Sequence, residues 1–527
     1  MHCSVVWFKR DLRLVDHAAL CHAALRGPVF CLYVVEPSLW AAEDAADLHY
    51  QFLIESLRAL DAQLKRHGGR LHVVSGEMVD ILARLLLVAP SFSLYSHEET
   101  GNAISYQRDQ AVARWCREQH IAWHEYPQFG VTRGLKNRDH WKRNWDLHIN
   151  PMPLPEPALT FAEPAWPAPA APSAAKLGLV VIDRQTRQHG GRAIGLDVLH
   201  SFLHERSEGY RGGISSPLSA PTPCSRLSPY LALGCLSLRE VVHATRAKLA
   251  TASSSHQSKG LNGFLSRLYW HCHFIQKLES EPRLEYANLH RGYDGLRETE
   301  WNQSHFEALT NARTGWPLVD ACVTMLRETG WLNFRMRAML VSVAAYPLWL
   351  HWRRVGLWLA TQFLDYEPGI HWSQMQMQSG TTGINTARIY NPIKQAIDHD
   401  PHGVFVRRWL PAMRRVPDTW LFEPWRMPAE LQERLGLQVG IDIPLPLVDL
   451  AQATREAKAR LYALRAEPAI KAEKKLIVEK HGSRKNKKFS SDSAGKERVS
   501  TGVVTNKRVT KKNNDSSQPP QLSFEFK

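Results

Sequence analysis

Over residues 1–128, short apolar runs alternate with longer stretches whose apolar residues recur every three or four positions. The runs are SVVWF from Ser4, VFCLYVV from Val29, RLHVVSG from Arg70, FSLYSHE from Phe92 and IAWHEYP from Ile121. Tyr50–His67 and Asn102–Glu118 carry the clearest helical periodicity between them. Continuous apolar strands, each followed by a helix, predict five β/α units wound into a doubly wound parallel sheet. No G-x-G-x-x-G follows the first strand, so the dinucleotide fingerprint is absent.

The pattern breaks over residues 129–197. PMPLPEPALTFAEPAWPAPAAPSAA reads as a proline-rich linker laid over the surface, and the basic stretch RGLKNRDHWKRNWDLHI precedes it. From 198 to 465 the period is helical throughout. Val198–Glu208, Ser237–Ala250, Gly260–Lys277, Gly315–Glu328, Asn333–Leu350 and Arg354–Phe363 each show one apolar face, which predicts an all-α domain. Residues 466–527 are rich in Lys, Ser and Asn, a composition that predicts disorder.

One stretch fits neither rule. Phe363 to Pro401 is too polar and glycine-punctuated for an ordinary core helix, and too rich in Met, Trp and Tyr for a solvated loop. Asp365 and Glu367 are followed by Gly, His and Trp, then an amide/Met run, SGTTG and RIYNP. Carboxylates and amides suit the edges of a buried polar heterocycle, and soft side chains suit its faces. This order resembles the flavin-cradling segment of the DNA photolyase/cryptochrome family. The opening WFKRDLRLVDH independently resembles that family's start, with Lys9 for an Arg and His17 for an Asn. The resemblance covers about residues 4–430.

The resemblance implies FAD held inside the helical domain. Tyr210 and the turn Cys224-Ser225-Arg226-Leu227-Ser228 match the diphosphate-binding residues, with Cys224 in place of a Thr. Hydroxyls and backbone N–H groups opening a helix near Pro229 suit phosphate oxygens. Arg337 and Asp365 match an ion pair beside the flavin ring, and Glu367 the second acidic position. Arg267, Trp270, His271, Phe274 and Tyr366 fall at the cofactor as well. His371 falls where the family faces flavin N5, as a proton donor or hydrogen-bond partner. A second, antenna chromophore of folate or deazaflavin type is implied for the N-terminal domain.

Family relatives supply electrons through three tryptophans. Trp352 matches the middle one and Trp301 the outer one. The proximal position falls on Met375, or on Ser373 in the other register, and Trp372 is the candidate substitute. Trp331, Trp349 and Trp358 offer another route. Repair relatives hold a flipped pyrimidine dimer with a Glu and two Trp. Here Trp270 matches one Trp, Arg267 stands at the Glu and Met377 at the other Trp. Arg cannot accept the hydrogen bonds of a carboxylate. Asn333-Phe334 also departs from the family's polar pair.

Formal charge is +15, of which residues 468–527 supply fifteen Lys/Arg against six Asp/Glu. Both parts favour a polyanion. The eight cysteines are scattered without a CxxC, which argues against zinc ribbons, an iron–sulfur cluster or required disulfides. No apolar run reaches membrane-spanning length, and the first strand lacks the features of a signal peptide. No metal is expected. A cytoplasmic, nucleoid-associated monomer acting on damaged DNA with a flipped base is expected. Gln521-Leu-Ser-Phe-Glu-Phe526 resembles the peptide by which bacterial repair proteins dock on the sliding clamp. Light-driven DNA repair is the leading reading. A blue-light receptor without repair activity and a nucleic-acid-binding flavoprotein without a light role remain alternatives.

Overall fold

The computed structural model describes residues 3–164, 166, 171–384 and 388–482. Its N-terminal part is a five-stranded parallel sheet in the order β3-β2-β1-β4-β5. The strands are β1 (Cys3–Phe8), β2 (Val29–Val35), β3 (His72–Ser75), β4 (Phe92–His97) and β5 (Trp123–Tyr126). All six residues of β1 are buried, because helices cover both faces of the central strand. These helices are α1 (Ala18–Ala24), α2 (Asp47–Arg66), α3 (Met78–Val88) and α4 (Ala103–Glu118). The strand order reverses beside β1, and such a switch point opens a crevice at the carboxyl ends of the strands.

The linker is more structured than its composition predicts. It contains α5 (Trp141–Ile149), whose Trp141, Trp145 and Ile149 are buried. Spaced four apart, these three form one apolar face, and both indoles meet Tyr269 edge-on at 4.9 and 5.1 Å. Further on, the chain lies along the sheet, where Phe161 bridges to Val29. It also lies along α2, where Arg187 pairs with Glu55.

The helical part comprises α6 (Arg192–Ser201), α7 (Ser228–Ala232), α8 (Leu238–Ala250), α9 (Ser255–Ser280), α10 (Pro317–Thr329), α11 (Phe334–Ala345), α12 (Trp352–Gln362) and α13 (Pro368–Ser379), among shorter elements. The predicted helix 333–350 stops at Ala345 because Pro347 cannot continue it. The polar stretch after Phe363 is the larger correction, since α13 is a core helix with His371, Trp372, Met375 and Gln376 all buried. Glycines make this possible. A Cβ on Gly369 would lie 2.6 Å from Ile275 Cα of α9, and one on Gly356 of α12 would lie 2.6 Å from the Trp372 ring. Two neighbouring helices therefore approach α13 closely enough to seal it.

Predicted disorder after Ala466 is also corrected for the residues that can be described. Following α14 (Leu450–Ala466), Pro468–His481 forms α15. Its Ile470, Ile477 and His481 are buried on one side, a stripe hidden in the sequence among lysines. Gln521–Phe526 lies outside the described residues. No helix among them is long and apolar enough to cross a membrane.

The two parts meet where the loop after β1 docks on residues 232–237. Leu12 N–H donates to Leu233 O at 3.1 Å, Arg13 to Gly234 O at 3.0 Å and Arg10 Nε to Ala232 O at 2.8 Å. Arg10 then reaches Glu367 at 2.6 Å. Gly234 has φ +61, and a Cβ there would stand 2.2 Å from Arg10 O. Gly68 also has positive φ, +83, with nothing within 4 Å. Gly68→Ala should therefore show backbone strain alone, about 1 kcal/mol or slightly more. Gly234→Ala should cost several times that and loosen the domain joint. Equal unfolding free energies for the two variants in a denaturant titration would remove this account of the joint.

Candidate active site

α11 and the chain between α12 and α13 carry the central ion pair. Arg337 Nη1 and Nη2 meet the two carboxylate oxygens of Asp365 at 2.9 and 3.0 Å. Arg337 Nε donates to Leu332 O at 2.6 Å, and the guanidinium lies 4.1 Å from the Phe363 ring centre. Burial works to raise the Asp365 pKa, but Arg337 and a Ser228 hydrogen bond outweigh it and hold the carboxyl below its ordinary value. Ser228 belongs to the candidate phosphate turn. The two features matched separately in the sequence thus converge on Asp365.

The rest of the turn faces the same place. Arg206 binds the carbonyls of Thr222, Cys224 and Ser225, which fixes the turn's shape. Arg226 adopts φ +61, covers the Trp331 ring at 4.0 Å and interacts electrostatically with Asp365 and Arg337. Burial lowers its pKa to about 10, and burial raises the Cys224 thiol to about 12, so this cysteine stays neutral. No side-chain cap opens α7 at Leu227, so a plain N-cap does not explain the motif. Tyr210 is buried against Phe202 and Phe264, with its hydroxyl at Arg267. Two guanidiniums face one carboxylate, and Asn333 Oδ1 and Glu367 Oε1 are buried without a partner. The guanidiniums fit an anionic group and the two oxygens, which only accept, fit N–H donors, and FAD carries both.

Several residues expected at the cofactor also tie the domains together. Tyr366 donates to Asp44 at 2.6 Å, and His271 meets Phe129 edge-on at 5.1 Å. One oxygen of Glu367 is taken by Arg10. His371 Nε2 donates to Gly356 O at 2.9 Å, and burial depresses its pKa to about 4. Burial thus favours a neutral imidazole near pH 7, hydrogen-bonded through Nε2 to Gly356 O. Gln376 is engaged likewise: its amide nitrogen donates to Leu284 O and Ala287 O, and its oxygen accepts from Leu289 N–H. It staples backbone, with both amide hydrogens engaged and one lone pair of the oxygen remaining.

Trp372 and Trp352 are fully buried and meet edge-on at 6.0 Å. Trp352 Nε1 donates to Asn288 at 2.8 Å. Met375 packs at Gly356 beside Trp372, and Ser373 Oγ faces Phe274 O at 3.4 Å. Trp301 lies nearer the surface, with Arg354 4.7 Å from its ring centre. Trp349 is held between Arg297 at 4.6 Å and Arg460 at 4.8 Å. On α9, Trp270 stacks with Phe274 at 5.8 Å and meets His273 edge-on at 4.7 Å. Met377 is half-buried on α13.

A cavity of about 180 Å³ lies at the carboxyl ends of β1 and β2, against Tyr366. Trp7, Trp40, Glu36, Glu99 and Arg108 are among its lining residues. Burial raises Glu36 to about 7 despite Arg108 beside it. One group in the described residues has metal-ligand proximity, Asp11, His17 and His97. His17 Nδ1 accepts from Leu20 N–H at 3.0 Å, so its Nε2 carries the proton and is turned to Asp11 at 3.1 Å. A protonated nitrogen does not ligate a cation, and the trio is a hydrogen-bonded carboxylate.

These features define a class: an α/β domain joined to a helical domain built around a buried, net-positive polar site. A family model described as DNA photolyase matches residues 4–129, and one described as FAD binding domain of DNA photolyase matches residues 264–463. The chain belongs to the DNA photolyase/cryptochrome family. It is 29% identical over 483 residues to cryptochrome DASH of Gloeobacter violaceus, covering 86% of this chain and 95% of that protein. It is 28% identical over 495 residues to a deoxyribodipyrimidine photo-lyase of Agrobacterium fabrum, covering 89% and 98%. A bacterial class III photolyase from Agrobacterium tumefaciens superposes with TM-score 0.77 at 26% identity, covering 89% and 98%.

Sequence reasoning missed Arg206 and the Ser228–Asp365 contact. Their signal is spatial, since no spacing rule joins residues so far apart. The buried histidines supply a pH prediction. Burial lowers His371, His271 and His148 to about 4, and His97 and His481 to about 3. Unfolded, each would titrate near 6.5. Between these values the unfolded chain binds more protons at each histidine, so the histidines' contribution is complete above pH 6.5 and is lost on acidification. Buried carboxyls act in the opposite sense, Glu36 and Asp320 raised to about 7 and Glu98, Glu125, Glu279, Glu285, Glu367 and Asp400 also raised, so the histidine contribution is read from single variants. His371→Asn should flatten the stability-versus-pH curve near pH 5 by up to about 1.4 kcal/mol per pH unit. An unchanged slope would mean that His371 is protonated in the folded protein.

Proposed function

We propose that this protein repairs pyrimidine dimers in DNA by blue-light-driven electron transfer from reduced FAD. The observation that carries this reading is the arrangement of Arg226, Arg337 and Asp365 beside a buried Trp372–Trp352 pair. When bound, reduced FAD would supply a light-excited one-electron donor. Arg226, Ser228 and the 224–228 turn would hold its diphosphate. Arg337, oriented by Asp365 and Leu332 O, keeps a fixed positive charge that favours an anionic ring. Trp270 presents an indole on which a flipped base stacks.

A second chromophore of folate or deazaflavin type would use the cavity at the strand ends. At about 180 Å³ it suits a ring system flanked by Trp7 and Trp40 rather than a whole cofactor. The second reading is a blue-light receptor without repair activity. Arg267 favours it, because a cation engaged with Tyr210 cannot accept hydrogen bonds from a base.

The purified protein should be yellow with non-covalent FAD, and its spectrum should contain a second absorber. FAD alone would remove the antenna part. Asp365→Ala should lose flavin or the stability of its reduced form. The reduced protein under blue light should remove cyclobutane or (6-4) products from irradiated DNA. Flavin-loaded protein that removes neither decides for the receptor.

Electron supply gives a second prediction. Trp352→Phe and Trp372→Phe should each slow light-driven bleaching of oxidised FAD at least tenfold with external reductant, while Met375→Ala stays near wild type. A wild-type rate in Trp352→Phe would show that electrons enter elsewhere.

A further inference from the structure

α15 lies beyond the segment that the family model matches, which ends at residue 463. It is nevertheless fixed at both ends to the part of the helical domain that carries Trp270. At its start, His290 Nε2 donates to Ile470 O at 2.9 Å, and Glu473 accepts from Arg291 N–H at 3.0 Å. His290 N–H in turn donates to Thr381 O at 3.3 Å, in the turn that follows α13. At its end, Lys480 pairs with Glu281 at 2.5 Å, and the buried His481 feels the charge of Lys277 on α9. One turn before Lys277, His273 meets Trp270 edge-on at 4.7 Å. α15 therefore runs from the turn after α13 to the flank of Trp270.

The side of α15 that faces the protein carries Ile470, Ile477 and His481, and its outward side is basic. Lys471, Lys474 and Lys475 are exposed and share one face, since residues three and four apart are neighbours on a helix. Among the described residues none of the three pairs with a carboxylate. Glu467 stands four residues before Lys471 without pairing to it. Exposed lysines on other helices use that spacing: Lys65 pairs with Asp61, Lys142 with Asp146 and Lys394 with Asp398. On α15 the neighbour four residues after Lys471 is Lys475, a like charge that opposes the helix. The first turn holds no acid, and the helix dipole disfavours Lys471 near that end. The stripe thus weakens the helix that carries it, and a bound polyanion relieves the repulsion.

Length and surroundings narrow the occupant. Residues 483–527 follow α15 with eleven Lys/Arg against four Asp/Glu, so the neighbouring sequence adds charge of the same sign. From Lys471 to Lys475 the helix rises about 6 Å. Phosphates of one DNA strand follow each other every ~3.4 Å along the duplex axis, so about two fall within the stripe.

We propose that Lys471, Lys474 and Lys475 of α15 bind successive backbone phosphates of the DNA whose flipped base stacks on Trp270. The Trp270 part rests on the repair reading. Phosphate oxygens accept from the ammonium groups, and such contacts set position without reading sequence.

The test measures affinity against salt for irradiated and intact DNA of one sequence, with flavin-loaded full-length protein. The triple variant Lys471→Gln, Lys474→Gln, Lys475→Gln should reduce the slope of log affinity against log salt by about two, equally for both DNAs. Its melting temperature should not fall, because no ion pair is lost. The corresponding triple Lys→Arg variant should keep the wild-type slope. A control with the same loss of charge on the N-terminal domain and linker, Arg58→Gln, Arg84→Gln, Lys176→Gln, should also keep it, since distant exposed charges are screened. Trp270→Ala should keep the slope and lose the preference for irradiated DNA. An unchanged slope in the Gln triple overturns the phosphate stripe. So does an equal loss in the control, which marks net charge, or a loss shared by the Gln and Arg triples. Vesicles of anionic phospholipid that lose binding to the Gln triple while its DNA slope is unchanged would assign the stripe to a membrane instead. If wild type binds both DNAs alike, the repair reading fails, and the Gln triple set against the control still decides the stripe.

Discussion

The arrangement of this molecule depends on an ion pair between its two domains, Arg10 to Glu367. Glu367 is only 4% exposed and immediately precedes α13. Burial raises its pKa, and Arg10 opposes that rise. Removing one partner of such a pair leaves an uncompensated charge, at about 3–5 kcal/mol. The consequence is positional as well as energetic. Arg10 fixes where α13 begins, and α13 carries His371, Trp372 and Met375. Tyr366, one residue earlier, is tied to Asp44 of the same N-terminal domain. The α/β domain therefore helps to set the register of the helix at the centre of the site.

A helix as polar as α13 can be a core helix because its polar groups are satisfied by backbone. Gln376 uses three bonds to residues 284–289, His371 uses Gly356 O, and Ser379 Oγ donates to Met375 O at 2.6 Å. Each would cost about 1–3 kcal/mol if buried without a partner. Polar residues here act as staples between helices that glycines have already brought close. The exceptions are Trp372 Nε1 on the helix itself, and Glu367 Oε1 and Asn333 Oδ1 at the N-caps of α13 and α11. The two oxygens flank the Arg337–Asp365 pair in sequence, where a ligand would complete them.

The sheet was legible because a strand buried on both faces reads as a continuous apolar run, as in SVVWF and VFCLYVV. The helices at 237–250 and 102–118 were legible for similar reasons, their caps Ser237 and Asn102 being local signals. Helix α13 was not, since its burial follows from Gly356 and Gly369 contacts that no local pattern encodes. α5 and α15 were hidden by their surroundings, prolines in one case and lysines in the other, although Trp141/Trp145/Ile149 and Ile470/Ile477 mark one face each. At the site, individual matches such as Arg337, Asp365 and Trp352 were readable from motif order. Their partners were not: Ser228 on Asp365, Trp372 on Trp352 and Arg10 on Glu367 are meetings of segments far apart in the chain.

Charge placement carries information that net charge does not. Arg192 faces Glu240 and Arg187 faces Glu55, each by two hydrogen bonds, and Arg108 faces three carboxylates. These pairs make the fold electrically closed over most of its interior. At the candidate site the carboxylates run short, since two guanidiniums share Asp365. A random excess of basic residues would spread over the solvated surface, where water screens it at little cost. Here part of the excess is concentrated in half-buried positions, where each unmatched cation opposes folding. A bound anion would relieve that cost, and the diphosphate of a dinucleotide is of the right sign, beside the Tyr210 that Arg267 of α9 reaches.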